Sequence, residues 1–406
     1  MPAVLAALAA VLLAAGCASG SAGAAVAQRA SALPAAASTS AGAAGTAGSS
    51  GSGPAPASQA CAAGQTGPVS ASFVSAKQGF LLGITLKNCQ ADAGSAIVLR
   101  KTTDGGMHWT TLPAPPAHWG GTGPDGTRRF LTNEVTSVLF ANARDGWAYG
   151  PSLWATHDGG ASWHRIGTHG QPVRSMAATN GHVVAVTLSC DPEYTDCTGP
   201  ASFAVRTSPV GSDAWRPVRG ATGRGTPSVV ARAGTAFVVP AGGATPGTHV
   251  AMLTGPADGS ARWVSRTLAC QPGAIALSGT TASRLVLSCA QLGMHPATTR
   301  LYTSADTGRH WTRFATLSLF DGASTVERTA GGTLLVAGIY NGVGLSRDGG
   351  RTWTWPRAID RTDAVGGGDA IEADLFTGSD GYVIVGWGSL WISRDGGRTW
   401  RPVTVH

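Results

Sequence analysis

The chain has 406 residues and a formal net charge of +7, yet only 13% of its residues are charged. Its 58 glycines and 23 prolines suit many short strands joined by tight turns, in two or three ordinary domains or one large all-β domain. The positive charge is almost all arginine and is scattered, with no run of five basic residues, which speaks against a nucleic-acid partner. Thirteen tryptophans against nine phenylalanines point to a repeated structural use of indole.

In chain order, residues 3–15 (AVLAALAAVLLAA) form an apolar run closed by Gly16 and Cys17. The run is too short for a bilayer-spanning helix, which needs about 20 residues, and fits the core of a signal peptide. Leu13-Ala14-Ala15-Gly16-Cys17 resembles a bacterial lipobox. The resemblance implies that residues 1–17 are a lipoprotein signal peptide and that Cys17 is lipidated, anchoring the chain on the outer face of the cell membrane. An ordinary secretory signal with an incidental cysteine is the alternative. Residues 18–60 are nearly all Ala, Gly, Ser, Thr and Pro. Too few large apolar groups stand there to offset the entropy of ordering them, so a disordered linker is expected.

Residues 61–406 carry seven repeats. TTDGGMHW at 102–109, THDGGASW at 156–163 and SRDGGRTW at both 346–353 and 393–400 share Ser/Thr-x-Asp-Gly-Gly-x-x-Trp, and SADTGRHW at 304–311 keeps its key positions. Two decayed copies end at Trp215 and Trp263, so the tryptophans fall at 109, 163, 215, 263, 311, 353 and 400. That spacing allows about one four-stranded blade per repeat. In such a turn the paired glycines supply positive φ, while the aspartate and hydroxyl bond the turn backbone. Asp104, Asp158, Asp306, Asp348 and Asp395, with Trp109, Trp163, Trp311, Trp353 and Trp400, are therefore read as structural. A catalytic site is needed once, not in nearly every blade.

The pattern resembles the Asp-box (bacterial neuraminidase) repeat of sialidases. Strand–turn–strand segments such as SVLFANARDGWAYG at 137–150, upstream of the boxes, resemble propellers of the photosystem II assembly-factor and sortilin type. The resemblance implies an all-β fold, a seven-bladed β-propeller of four-stranded antiparallel blades. It implies little about function.

The two ends of such a propeller differ. The box turns and short A–B turns share one end, whereas the opposite end collects the long insertions at 112–134, 189–201, 288–300 and 357–372. Apart from Cys17, the cysteines are 61, 89, 190, 197, 270 and 289. Each lies where strand B ends or where strand A or C begins. Of fifteen possible pairings, Cys61–Cys89, Cys190–Cys197 and Cys270–Cys289 are the geometrically natural one, and all three would staple the loop-rich end. Candidate binding residues there are Trp119, Arg128 and Arg129, a basic aromatic group, and Asp360, Arg361, Asp363, Asp369 and Glu372, an acidic one.

Sialidase chemistry needs an arginine triad, a Tyr–Glu pair and an Asp acid, with an Arg-Ile-Pro motif before the first box. No Arg-Ile-Pro exists here, and only Glu134, Glu193, Glu327 and Glu372 are available as glutamates. The ten histidines lack metal-ligand spacing, so no metal and no cofactor are expected. The favoured function is a non-catalytic, monomeric cell-surface propeller that binds a protein or glycan through its disulfide-bearing end. A glycan hydrolase using acidic residues of that end is the enzyme alternative, and an assembly or maturation factor for an envelope complex is a third. A close-set carboxylate pair in the central funnel would favour the hydrolase.

Overall fold

The second strand of each repeat is an apolar run rather than an alternation, as in GFLLGIT at Gly79–Thr85 and LLVAG at Leu334–Gly338. Such a strand is buried on both faces, so its sheet needs a neighbour on each side. A ring of sheets meets that need for every blade at once. The computed structural model describes residues 66–86, 95–119, 133–190, 201–240, 250–271, 273–290, 297–319, 325–329, 331–338, 342–356, 359, 371–375, 379–385 and 389–405.

Blade 1 comprises β1 (Thr66–Phe73), β2 (Gly79–Thr85), β3 (Ile97–Thr102) and β4 (Thr110–Leu112). A short parallel pair, β5 (His118–Trp119) and β6 (Glu134–Val135), follows it. Blade 2 is β7 (Ser137–Phe140), β8 (Gly146–Tyr149), β9 (Leu153–Thr156) and β10 (His164–Arg165). Blade 3 is β11 (Val173–Thr179), β12 (His182–Cys190), β13 (Ala201–Pro209) and β14 (Arg216–Arg224). Blade 4 is β15 (Ser228–Arg232), β16 (Thr235–Val239), β17 (Ala251–Pro256) and β18 (Val264–Thr267). Blade 5 is β19 (Ala274–Gly279), β20 (Leu285–Ala290), β21 (Ala297–Ser304) and β22 (Thr312–Leu319). Blade 6 is β23 (Thr325–Arg328), β24 (Leu334–Gly338) and β25 (Gly342–Ser346), its outer edge reduced to the bridge between Leu345 and Thr354. Blade 7 is β26 (Ile371–Asp374), β27 (Gly381–Val385), β28 (Ser389–Ser393) and β29 (Arg401–Val403). Every blade is an antiparallel meander of consecutive strands. The chain is thus the seven-bladed propeller that the repeats imply.

Seven apolar clusters hold the ring, one between each pair of neighbouring blades. The period-two geometry of a strand explains how. In β2, Phe80, Leu82 and Ile84 face blade 2, while Leu81 between them faces blade 7. Among the described residues blade 7 is built wholly from C-terminal strands, and side chains join it to blade 1. Tyr382 donates its hydroxyl to the Ala71 carbonyl at 2.8 Å, and Arg394 reaches the Ala76 carbonyl at 2.8 Å and the Gly105 carbonyl.

Five DGG-type turns repeat one hydrogen-bond pattern. In blade 2 the Thr156 hydroxyl donates to Asp158 at 2.8 Å and accepts the Gly160 N–H at 2.9 Å, while Asp158 accepts the Ser162 N–H at 2.9 Å. The hydroxyl is fully buried, so without it the Gly160 N–H would have no acceptor. Gly160 has φ +89°, and a Cβ there would press on Leu99 and Leu112 of blade 1. Gly397 likewise meets Leu345 of blade 6, so the second glycine is required by the neighbouring blade as well as by its own backbone. The many hydrogen bonds to the aspartates hold the carboxyls of Asp104, Asp158, Asp306 and Asp348 far below the usual range.

The bridge Cys270–Cys289 is formed, as the strand ends predict. Cys17, Cys61, Cys89 and Cys197, the side chain of Cys190, and the expected signal peptide and linker lie outside the described residues. Among the described residues, no helix is long and apolar enough to cross a membrane.

Candidate functional site

First strands of successive blades contact one another and form the inner ring of the propeller. Four of them bring one polar network together: Arg232 from β15, Ser278 from β19, Glu327 from β23 and Asp374 from β26. The Ser278 hydroxyl donates to Glu327 Oε2 at 2.5 Å, and Arg232 Nη2 lies 3.7 Å from the same oxygen. Arg232 is itself aimed by a hydrogen bond from Nε to the Gly279 carbonyl at 2.8 Å. Glu327 keeps only 15% of its side chain exposed.

These carboxyls are largely withdrawn from solvent, and their charged form is disfavoured there. Burial, then the neighbouring Asp374 charge, pushes the Glu327 carboxyl up to about 8, against the opposite pull of Arg232 and Ser278. Burial also raises Asp374, offset in part by Arg232 and the Leu375 backbone. Burial therefore favours the protonated form of Glu327.

Two positions before Asp374 in β26, Glu372 closes the ring. Its Oε1 accepts the Ala71 N–H at 3.0 Å and the Tyr382 hydroxyl at 2.7 Å. Burial raises its carboxyl and outweighs these bonds, which pull it down. Glu372 braces blade 7 to blade 1; it is not part of an exposed acidic loop.

A second feature lies at the disulfide-bearing end. A cavity of about 350 Å³ beside Cys270–Cys289 is lined by Gln271, Arg300, Tyr302 and Arg313. The register explains the convergence. Cys289 pairs with Arg300 across β20 and β21, and Tyr302 pairs with Arg313 across β21 and β22. Directly paired residues and next-but-one residues share a sheet face, so all four side chains fall on one face of blade 5. Two guanidinium groups with a phenol and an amide suit an anionic group, a carboxylate above all.

Trp119, expected in a contact patch, is only 4% exposed and belongs to the core between blades 1 and 2, with Val135 and Leu86. Its indole therefore packs the link that joins those blades. Arg128, Arg129, Asp360, Arg361, Asp363 and Asp369 lie outside the described residues. Sequence reasoning did not single out Arg232, Arg300 or Arg313, it considered Glu327 only as one of four glutamates, and it took Asp374 as part of the acidic link between blades 6 and 7.

No protein-family model matches the chain, and no curated protein matches it. Solved structures do. The chain is similar to YCF48 from Cyanidioschyzon merolae, with TM-score 0.53, 15% identity, 84% of this chain covered and 98% of that one. It is similar to YCF48 bound to D1 peptide at TM-score 0.51 and 18% identity, covering 82% and 94%. A Hadza microbial sialidase is also similar, at TM-score 0.42, 15% identity, 67% and 62%. These likenesses extend to the propeller fold.

Proposed function

We propose that this chain is a non-catalytic propeller, tethered to the outer face of the cell membrane through Cys17, that binds a protein of the envelope at its disulfide-bearing end. The cavity of Arg300, Arg313, Tyr302 and Gln271 carries the proposal. It offers two guanidinium cations beside a covalent staple, which suits a carboxylate of a polypeptide segment. The likeness to YCF48, one structure of which holds a D1 peptide, supports a protein partner. An envelope complex under assembly is the class of partner that this likeness favours. The five repeated turns are read as Asp boxes, with a structural role.

The test is crosslinking of the full-length protein in its native membrane, followed by affinity measurements on the captured partner. Replacing both arginines (Arg300→Ala with Arg313→Ala) should weaken binding about tenfold to hundredfold, the worth of one or two charge-assisted hydrogen bonds. Unchanged affinity in a folded double variant would remove the cavity from the interface. Cys17→Ser should release the chain from the membrane fraction; unchanged retention and mass would refute the tether.

One observation favours a glycan hydrolase as a second reading. Glu327 and Asp374 are neighbouring carboxyls of the inner ring, the kind of pair that acid-catalysed glycoside hydrolysis requires. That reading requires turnover on a glycan panel that Glu327→Gln abolishes, and an inactive wild-type chain would end it.

A further inference from the structure

We infer that the box end of the propeller holds a zinc-class metal site built from His157, His164 and Asp213. The three come from two blades. His157 lies in the DGG turn of blade 2, His164 begins β10, and Asp213 sits in the corresponding turn of blade 3. Their ligand atoms all lie within 4.8 Å of one another.

Two imidazoles converge on one carboxylate oxygen, an arrangement that a cation shared among the three groups would satisfy. Both imidazoles present Nε2 to the same oxygen, Asp213 Oδ2, from 3.4 Å for His157 and 2.5 Å for His164. Asp145 holds His157 from behind, with Oδ1 at 2.8 Å from Nδ1, and Asp145 is fixed in turn by the Asn142 amide at 2.9 Å. A carboxylate that accepts Nδ1–H puts the ring's lone pair on Nε2, the side facing Asp213. A lone pair facing a carboxylate oxygen is repulsive unless a proton or a metal ion lies between them. The carboxylate–histidine arrangement is also what orients metal-ligating imidazoles elsewhere.

Two imidazoles and one carboxylate match a divalent transition metal, zinc foremost, with water in the fourth position. Zinc–nitrogen bonds of about 2.0–2.1 Å keep tetrahedral ligand atoms roughly 3.3 Å apart, so metal binding would draw His164 and Asp213 apart from their present 2.5 Å contact. Such an ion would tie blade 2 to blade 3. Spacing within one segment could not reveal the site, because its third ligand arrives from the next blade. His108–Asp104 and His310–Asp306 are internal comparisons: each is a similar pair at 2.5 Å within its own turn, and neither belongs to a three-ligand group among the described residues.

The experiment uses tag-free full-length protein stripped with chelator and titrated with zinc by calorimetry, alongside cobalt substitution. One zinc per chain is expected, with a rise in melting temperature. Cobalt should give the visible bands of a nitrogen and oxygen site without thiolate charge transfer. His164→Ala and Asp213→Ala should each lower affinity at least a hundredfold, and Asp145→Asn about tenfold to hundredfold by freeing the His157 ring. His108→Ala should leave binding unchanged. Melting in chelator separates lost binding from lost folding, since His164 is half-exposed and its loss should leave the chelated protein as stable as wild type. Absence of zinc binding, thiolate bands, or affinity that survives His164→Ala and Asp213→Ala would overturn the assignment.

Discussion

The repeated turns and the inner ring obey opposite rules. Five turns use the same hydroxyl, aspartate and glycine, with hydroxyl-to-aspartate distances between 2.8 and 3.0 Å in each. The first strands share an apolar framework, yet each places a different polar group at the centre: Arg232, Ser278, Glu327, Asp374. A turn problem recurs in every blade and has one economical answer. A ring of seven identical charges would repel itself, so the centre must be asymmetric. Repetition therefore marks structure here, and the unrepeated residues mark where a function can sit.

Their titration separates the two regions further, and the largest expected effect lies there. Glu327 is raised when folded, so its contribution is fully present below its unfolded value near 4.5 and is lost as pH rises through about 8. The box aspartates are lowered when folded; their contribution is present above about 3.8 and is lost as pH falls through their folded values. Stability of the wild type should thus peak in mild acid, near pH 4–5. Glu327→Gln should remove much of the fall between pH 4.5 and 8, an effect on the order of a few kcal/mol. Urea melts across that range check it, and parallel profiles for variant and wild type would show that Glu327 ionises freely.

Next in size is the buried hydroxyl of a turn. Ser346 is 1% exposed and its Oγ accepts the Gly350 N–H at 2.8 Å. Ser346→Ala strands that donor and should cost about 1–3 kcal/mol by denaturant melting, with partner binding intact. A cost near zero would mean that water reaches the turn, and the contrast between regions would weaken.

The same contrast explains what the sequence could tell. Tryptophan spacing and the DGG turns revealed seven blades because each blade restates them. The bridge Cys270–Cys289 was legible from where strands end. The meeting of Glu327 with Asp374 was not, because neighbours around the ring are far apart in the chain and their short strands share no pattern. Arg300 and Arg313 were closer to legible: writing the hairpin register outward from the turn at 304–311 places Arg313 opposite Tyr302. Trp119 misled because a Pro- and Gly-rich link suggests surface, whereas pairing of β5 with β6 folds its indole into the core.

The smallest expected effect concerns Glu372, which stands in the ring but behaves as a brace. Its Ala71 and Tyr382 hydrogen bonds end on Oε1, a position that the carbonyl of glutamine reproduces, and the Ser70 side chain bonds the carboxyl as well. Glu372→Gln should keep the Ala71 and Tyr382 contacts while removing a charge whose folded form is disfavoured by burial. Because the carboxyl is raised when folded, wild type loses stability as pH climbs and the amide does not. At pH 5 the two proteins should therefore agree within about 0.5 kcal/mol, and at pH 8 the variant should be the more stable. Glu372→Ala, which leaves the Ala71 N–H without its acceptor, should be less stable than the glutamine variant at both values. If glutamine instead destabilises at pH 8, the ionised carboxylate must be held by a cation across the ring. Glu372 would then belong with the asymmetric centre and not with the bracing of blade 7 to blade 1.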